Sequence, residues 1–252
     1  MRTAVVTGGA SSVGLAIARR FLADGYTVWV CDVDEGAIAT VTGTDPELSC
    51  RVVDLLDPLR VERFFAEVTR ATGAVDILVN TVGLSGPTAA VEDVGYGDWD
   101  TTLRGSAGAA FYCIKQVAAR MKQRRSGSIV NFSSCSAKTA LPMRTPYVAA
   151  KWALEGLTLS LARELGPYNV RVNAIRPGAI DNDRLKRILA ASAAEAGVTP
   201  AEFERQALAY VSMRSKIEIN ELVAAVTFLT SDSAPHITGQ IIAVDGNVEW
   251  ER

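Results

Sequence analysis

Three side chains in the middle of the sequence have the types and the spacing for acid–base chemistry at an oxygen atom. Tyr147 and Lys151 are four residues apart in a run of helical character from 147 to 165, so they lie on one helix face. An ammonium close to a phenol stabilises the phenolate, and the tyrosine can then both donate and accept a proton. Ser134, at the end of an apolar run, can hold a carbonyl or hydroxyl oxygen beside it. Taken alone, a tyrosine and a lysine at this spacing also occur on ordinary helix surfaces.

A second candidate site is the stretch TGGASSVG at residues 7–14, between an apolar run and a helical pattern. In a strand, turn and helix of this kind, backbone N–H groups and the positive end of the helix bind a pyrophosphate. Gly8 permits the tight turn and Gly14 permits close contact between helix and sheet. Ser12 stands where a third glycine is expected. We expect it to fit with an ordinary negative φ, and its hydroxyl can donate to phosphate.

An acidic residue follows at the distance that ribose recognition requires. Asp32 ends an apolar run eighteen residues after Gly14, where a carboxylate accepts hydrogen bonds from the adenosine ribose and repels a 2′-phosphate. No Lys or Arg lies between Gly9 and Val13 to bind such a phosphate. The sequence therefore predicts NAD rather than NADP. Asp54 and Asn80 end two further apolar runs, although either type is also an ordinary turn residue.

The composition narrows the class of protein. The 252 residues are 48% apolar and 21% charged, which is typical of one packed domain, and a net charge of −2 argues against nucleic acid or an anionic membrane as the main partner. Four cysteines and one histidine show no metal-ligand spacing, so we expect no metal site and inert thiols in a reducing, cytoplasmic compartment. A reactive Cys135 beside Ser134 is the less favoured alternative. No apolar stretch approaches the roughly 20 residues that span a bilayer.

Seven apolar runs alternate with helical patterns along the chain. Strands that are apolar along their whole length are buried on both faces, as in parallel sheets covered by right-handed crossovers. The pattern predicts an α/β fold. The predicted strands cover residues 3–7, 27–31, 50–53, 75–79, 128–132, 170–175 and 240–244.

Residues 181–217 are too many for an ordinary connection from strand to helix. Thr199, Pro200 and Glu202 fit the N-cap, N1 and N3 positions of a capping box, so we predict a small helical insertion. At the carboxyl edge of an open sheet this insertion is placed as a substrate lid, with plain core packing as the alternative. The apolar side chains of the lid indicate a largely hydrophobic substrate. They are Leu185, Ile188, Leu189, Phe203 and Tyr210.

Together these motifs resemble the short-chain dehydrogenase/reductase family, over essentially the whole chain. The matching features, in chain order, are TGGASSVG, Asp32, Asp54, the stretch 80–83, Ser134, Tyr147, Lys151, the Arg-Pro-Gly at 176–178 and the stretch 238–246. The resemblance implies a single Rossmann-type, doubly wound domain with a seven-stranded parallel sheet, and usually a homotetramer.

The resemblance also assigns roles by position. Tyr147 is the acid/base, Ser134 anchors the substrate oxygen, and Lys151 binds the nicotinamide ribose and favours the phenolate. The nicotinamide is bordered by Pro177, Gly178 and Ile180. The adenine and phosphate half of the cofactor is lined by Gly8, Ser12, Val13, Gly14, Asp32, Asp54, Leu55 and Asn80.

Three departures from the family qualify these roles. Ser12 replaces the middle glycine, and Thr81-Val82 replaces the usual Asn-Ala. Ser106 stands where the fourth catalytic residue, an Asn, is expected. In the family this residue holds a relay water largely through its backbone carbonyl, which serine also has, so we expect impaired catalysis at most.

The sequence accordingly predicts an NAD-dependent alcohol dehydrogenase or ketone reductase for a secondary alcohol or ketone. Ser12 and Ser106 motivate an alternative, a sensor or scaffold that keeps the fold and binds NAD without turnover. A lyase or dehalogenase of the same family is disfavoured, because the glycine-rich loop and Lys151 are both retained.

Overall fold

Seven parallel strands form the single sheet of the molecule, which a computed structural model describes over residues 2–249. They are β1 Thr3–Thr7, β2 Thr27–Asp32, β3 Ser49–Val52, β4 Ile77–Asn80, β5 Gly127–Phe132, β6 Val170–Pro177 and β7 Ile241–Val244. Their spatial order is β3-β2-β1-β4-β5-β6-β7. The order reverses between β1 and β4, and in such sheets the crevice at the carboxyl ends of these strands is where ligands bind. The predicted doubly wound fold is confirmed.

Ten α-helices of the described residues connect and cover the strands. They are α1 Ser12–Ala23, α2 Glu35–Thr44, α3 Pro58–Thr72, α4 Tyr96–Leu103, α5 Ala109–Arg124, α6 Cys135–Thr139, α7 Thr145–Leu165, α8 Asp183–Ala196, α9 Pro200–Leu208 and α10 Ile219–Thr230. A single π-helical turn, Arg104–Gly108, joins α4 to α5. Helices α1, α2 and α10 pack on one face of the sheet and α3, α5 and α7 on the other. No helix among residues 2–249 has the length and apolar character needed to cross a membrane.

The first βαβ unit shows why the sequence folds this way. All five residues of β1 are buried, as expected for a central strand covered on both faces. Val13, Ile17 and Phe21 recur every four residues in α1 and are 8%, 1% and 1% exposed. Gly25 follows the helix with φ +84°, a left-handed conformation that glycine adopts at little cost. Burial of one apolar stripe therefore fixes α1 against the sheet.

The predicted insertion after β6 is present as α8 and α9. A parallel bridge between Ile180 and Ile217 closes its base. Thr199 caps α9 as predicted, since its hydroxyl accepts from the Glu202 N–H at 3.2 Å. Leu189 is 8% exposed, whereas Ile188 is 47% exposed. The insertion thus packs one face inward and leaves apolar side chains on its surface.

Candidate active site

Lys151 and Tyr147 meet above the carboxyl end of β5, as their spacing predicts. Both lie on the first turns of α7, and Lys151 is only 3% exposed. The Lys151 Nζ donates to the Phe132 carbonyl oxygen at 2.7 Å and lies 5.6 Å from the centre of the Tyr147 ring. The last residue of β5 therefore holds the ammonium beside the phenol.

A second cation, which was not predicted from the sequence, faces the same phenol ring. The Arg144 Cζ lies 5.0 Å from the centre of the Tyr147 ring, and its Nη2 donates to the Ser85 carbonyl oxygen at 2.8 Å. The guanidinium thereby ties the loop after β4 to the start of α7. A cation three residues before a candidate tyrosine was the available signal, but its position against the ring depends on the tertiary fold.

Ser134 lies two residues beyond β5 as the N-cap of α6. Its Oγ accepts from the Ser136 N–H at 3.1 Å, and the residue is 9% exposed. This capping bond sets the orientation of the hydroxyl. Because Ser134 and Phe132 are two residues apart, the same strand end presents Ser134 and holds Lys151.

Ser106 lies within the π-helical turn and is completely buried. A Cβ built on Gly83 would be 2.7 Å from the Lys151 Nζ and 3.6 Å from the Ser106 Oγ, so both atoms flank Gly83. The Ser106 hydroxyl has no hydrogen-bond partner among the described residues. π-Turns occur frequently at functional sites because they displace a side chain from the regular helical surface. Here the turn brings an unsatisfied hydroxyl close to the lysine.

The loop at residues 7–14 has the shape that a pyrophosphate site needs. Only glycine fits at its two tightest points, and the absence of side chains there leaves the backbone N–H groups accessible to a phosphate. A Cβ on Gly14 would collide with the Gly8 carbonyl oxygen and lie 2.9 Å from the Gly9 Cα. A Cβ on Gly8, whose φ is +62°, would be 2.8 Å from the Thr81 Oγ1. Backbone N–H groups at the start of α1 thus stand where a phosphate can approach them closely.

Ser12 corrects one expectation. Its φ is +45°, not the ordinary negative value that we expected, and this left-handed conformation is one that glycine adopts at little cost. Such a conformation costs a non-glycine residue about 1–3 kcal/mol. Its Oγ accepts from the Asn182 Nδ2 at 3.4 Å, which links the loop to the N-cap of α8. The side chain is small enough for the loop shape to persist despite the strain.

Asp32 lies at the end of β2 beside this loop. Its Oδ2 accepts from the Ala10 N–H and its Oδ1 from the Asp34 N–H, both at 3.3 Å. The neighbouring side chains are Val33, 65% exposed, and the carboxylates of Asp34 and Glu35. The carboxyl end of β2 is therefore acidic.

Other predicted cofactor residues lie along the same edge. The Asp54 Oδ1 accepts from the Leu56 N–H at 2.9 Å, and Leu55 is 6% exposed. At the other side, a Cβ on Gly178 would be 2.7 Å from the Asp245 Cα, so the chain after Pro177 needs a glycine there. Ile180 forms the bridge at the base of the insertion.

The Asn80 side chain, on a residue predicted to line the adenine and phosphate half, lies between the sheet and α7. It is 3% exposed, and its Nδ2 donates to the Asn131 Oδ1 at 2.9 Å. Asn131 in turn donates to the Thr158 Oγ1 at 3.0 Å. The amide thus aligns β4, β5 and α7. Asn131 was missed, although a polar residue inside an apolar strand was a usable signal.

Thr81, one of the departures from the family, also has a structural task. Its Oγ1 donates to the Thr7 carbonyl oxygen at 2.6 Å. The loop after β4 is thereby joined to the end of β1, where the phosphate loop begins.

The four cysteines are free thiols, and Cys31, Cys50 and Cys113 are buried. Burial raises the pKa of Cys135 above its usual value, which disfavours the thiolate beside Ser134.

Within residues 2–249, no three His, Cys, Asp or Glu side chains converge as a set of metal ligands.

Comparison with known proteins agrees with this geometry. A family model described as enoyl-(acyl carrier protein) reductase, from the short-chain dehydrogenase/reductase group, matches residues 8–248. The chain belongs to the short-chain dehydrogenase/reductase family. Members of this family are oxidoreductases, and their fold binds a nicotinamide cofactor.

Individual relatives cover the whole length of the chain. A 3alpha-hydroxysteroid dehydrogenase of Mediterraneibacter gnavus is 32% identical over 97% of this chain and 96% of its own. The structure is similar to that of NAD⁺-bound xylitol dehydrogenase, with a TM-score of 0.89 and 30% identity over 97% and 98% of the two chains. It is also similar to a variant of actinorhodin polyketide ketoreductase with NADPH, with a TM-score of 0.91 and 28% identity over 97% and 96%. The first of these two structures contains NAD⁺ and the second NADPH.

Proposed function

We propose that the protein is an NAD-dependent oxidoreductase that interconverts a largely hydrophobic secondary alcohol and its ketone. The observation that carries the proposal is the packing of the Lys151 ammonium against the Tyr147 ring, at the same sheet edge as the glycine-rich loop. The Phe132 carbonyl that holds Lys151 is two residues before Ser134. A phenol, an ammonium and a hydroxyl in this arrangement transfer a proton to or from a substrate oxygen.

In the direction of alcohol oxidation, the Ser134 hydroxyl hydrogen-bonds the substrate oxygen and orients it toward Tyr147. The Tyr147 oxygen removes the hydroxyl proton, and Lys151 stabilises the phenolate form that accepts it. Ketone reduction reverses these proton transfers. Bound nicotinamide supplies the acceptor or donor of the hydride at the carbon atom. Pro177, Gly178 and Ile180 would border its ring, with Lys151 at its ribose.

Asp32 supports the preference for NAD. A 2′-phosphate at the end of β2 would meet the Asp32 carboxylate and the nearby negative charges of Asp34 and Glu35. Repulsion between these carboxylates and the phosphate would weaken the binding of NADP. No arginine or lysine lies between residues 26 and 50 to offset this repulsion. Ribose hydroxyls can instead donate to the carboxylate.

We further propose that Ser106 takes part in proton relay beside Lys151. A buried hydroxyl with no protein partner is suited to bind an ordered water, and such a water would connect the lysine to solvent. Ser106 would then relay protons less efficiently than the asparagine that the family has at this position.

The insertion supports the proposed substrate class. Exposed Ile188 and Tyr210, at 47% and 45%, offer apolar contacts on α8 and after α9. The direct test is to incubate the purified protein with NAD and a panel of secondary alcohols and to measure NADH formation. Turnover of apolar members is expected, and no turnover of any member would contradict the proposal.

The alternative is an NAD-binding protein without turnover, favoured by Ser106 and by the strained Ser12. Calorimetry that shows NAD binding, together with inactivity across a broad panel, would support this alternative. Ser134, Tyr147 and Lys151 are all present despite these two departures, so we prefer the oxidoreductase to this alternative.

We also propose that the protein is a cytoplasmic homotetramer. Free cysteines are typical of a reducing compartment. Large apolar side chains remain exposed on α5, α7 and α10 and are suited to contacts between copies of the chain. They are Phe111, Trp152, Leu159 and Phe228. Light scattering of the purified protein tests the number of copies.

A further inference from the structure

One buried carboxylate on α7 contacts the ends of two strands that lead to candidate active-site residues. Glu155 lies one helical turn beyond Lys151 on α7 and is 2% exposed. Its Oε1 accepts from the Ser133 Oγ at 2.5 Å and from the Arg176 Nε at 2.7 Å, and its Oε2 accepts from the Arg176 Nη2 at 2.5 Å. The fork of the guanidinium thus meets both carboxylate oxygens.

The partners of Glu155 are direct neighbours of the proposed machinery. Ser133 precedes Ser134, and Arg176 precedes Pro177. We propose that Glu155 is a positioning residue, which fixes the ends of β5 and β6 relative to the face of α7 that carries Tyr147 and Lys151. This inference rests on the proposed function for its kinetic consequence.

Stability alone is a weak explanation for such a group. The ion pair is buried, with side-chain exposures of 2% for Glu155 and 18% for Arg176. Removing two charges from water is costly, and apolar residues of similar volume often stabilise a core equally well or better. A buried, bidentate pair has the advantage of fixed geometry, because its hydrogen bonds are directional and packing contacts are not.

The geometry also shows why precision is needed here. Lys151 and Glu155 hold consecutive residues at the end of β5, through the carbonyl of Phe132, the last residue of the strand, and the hydroxyl of Ser133, which follows it. If the Glu155 contact is lost, the chain at Ser134 can shift against α7 while the rest of the sheet remains in register. Displacements of about 1 Å in a reacting group can lower the rate by about 100-fold.

The test compares two double variants. Glu155→Leu combined with Arg176→Leu removes both charges together, so no unpaired charge stays buried. The matched control is Glu67→Leu combined with Arg51→Leu. It removes an ion pair in which both side chains are exposed, Glu67 at 40% and Arg51 at 44%. For each protein, kcat with an active alcohol, the Kd for NAD and the Tm are measured.

We expect the buried double variant to fold with a Tm close to wild type and to bind NAD within about threefold of wild type, because the phosphate loop is untouched. Its kcat should fall by about 10- to 100-fold. The control should keep its kcat. A buried double variant that retains wild-type kcat would show that the pair serves stability alone and would overturn the inference.

Ser133→Ala covers the case in which the double variant does not fold. It removes one hydroxyl and no charge, and we expect a lower kcat with an unchanged Kd for NAD. Wild-type kcat in this variant contradicts the inference.

If wild-type protein turns over no alcohol, the proposed function fails. The positioning role is then tested by comparing crystal structures of the variants with that of wild-type protein. The variants should then show the Ser134 Oγ displaced relative to the Lys151 Nζ by about 1 Å. An unchanged distance between these two atoms would overturn the positioning role.

Discussion

The two halves of the candidate site are made of different parts of the chain. The phosphate loop is formed mainly by backbone, and its demands are steric: Gly8 and Gly14 leave no space for a Cβ. The proposed catalytic half depends on polar side chains instead, and two of them, Ser106 and Lys151, are each 3% exposed or less. Cofactor binding by the first half should therefore be sensitive to added atoms, and catalysis by the second half to the loss of functional groups.

Loss of the ammonium should have the largest effect. Lys151→Met keeps most of the side-chain volume but removes the charge beside Tyr147 and the hydrogen bond to Phe132. We expect kcat to fall by about 10²- to 10⁴-fold, the range typical of lost acid–base catalysis. Steady-state kinetics measures this effect, and a Tm measurement excludes unfolding as its cause. A variant with more than a tenth of wild-type kcat would contradict the role of Lys151.

Gly14→Ala tests the steric half. The added methyl group meets the Gly8 carbonyl, so we expect weaker NAD binding and a loss of about 1–3 kcal/mol in the free energy of unfolding. Gly43→Ala is the control, because nothing lies within 4 Å of its Cβ position in α2. That control should gain about 0.5–1 kcal/mol. Denaturant unfolding and calorimetry measure both variants, and equal responses would contradict the steric account.

Asp32→Ala should change cofactor preference without changing the chemistry. Removing the carboxylate takes away the repulsion of a 2′-phosphate and the acceptor for the ribose hydroxyls. We expect the ratio of kcat/KM for NADP to that for NAD to rise by about tenfold or more, equivalent to about 1.4 kcal/mol. If wild-type protein uses the two cofactors equally, Asp32 loses its assigned role.

Cys135→Ala should have the smallest effect. Burial raises the pKa of the thiol above its usual value, which disfavours the reactive thiolate. We expect kcat within about twofold of wild type, because the catalytic half uses oxygen and nitrogen groups only. A loss of activity comparable to that of the lysine variant would instead show a reactive sulfur.

The sequence predicted most of the fold, because its regularities are local. Burial on both sheet faces makes the centre of strands such as β1 apolar, and the four-residue recurrence of Val13, Ile17 and Phe21 marks α1. The base of the insertion also lies where its length indicated, at the bridge between Ile180 and Ile217. These features depend on neighbours along the chain.

The connections between distant residues could not be predicted in the same way. Arg144 lies over Tyr147 only because the loop after β4 holds its guanidinium, and Glu155 meets Arg176 across two elements. The positive φ of Ser12 was also missed, because loop closure against Gly8 and Gly14 outweighs the preference of a single residue. Tertiary geometry decides each of these cases.

Tyr147→Phe tests the central claim most directly, because it removes one oxygen atom and leaves the ring between Arg144 and Lys151. Turnover of an active alcohol and NAD binding are measured on the same preparation. The account predicts that kcat falls by about 10²- to 10⁴-fold while the Kd for NAD changes little. Undiminished turnover in the phenylalanine variant would contradict it.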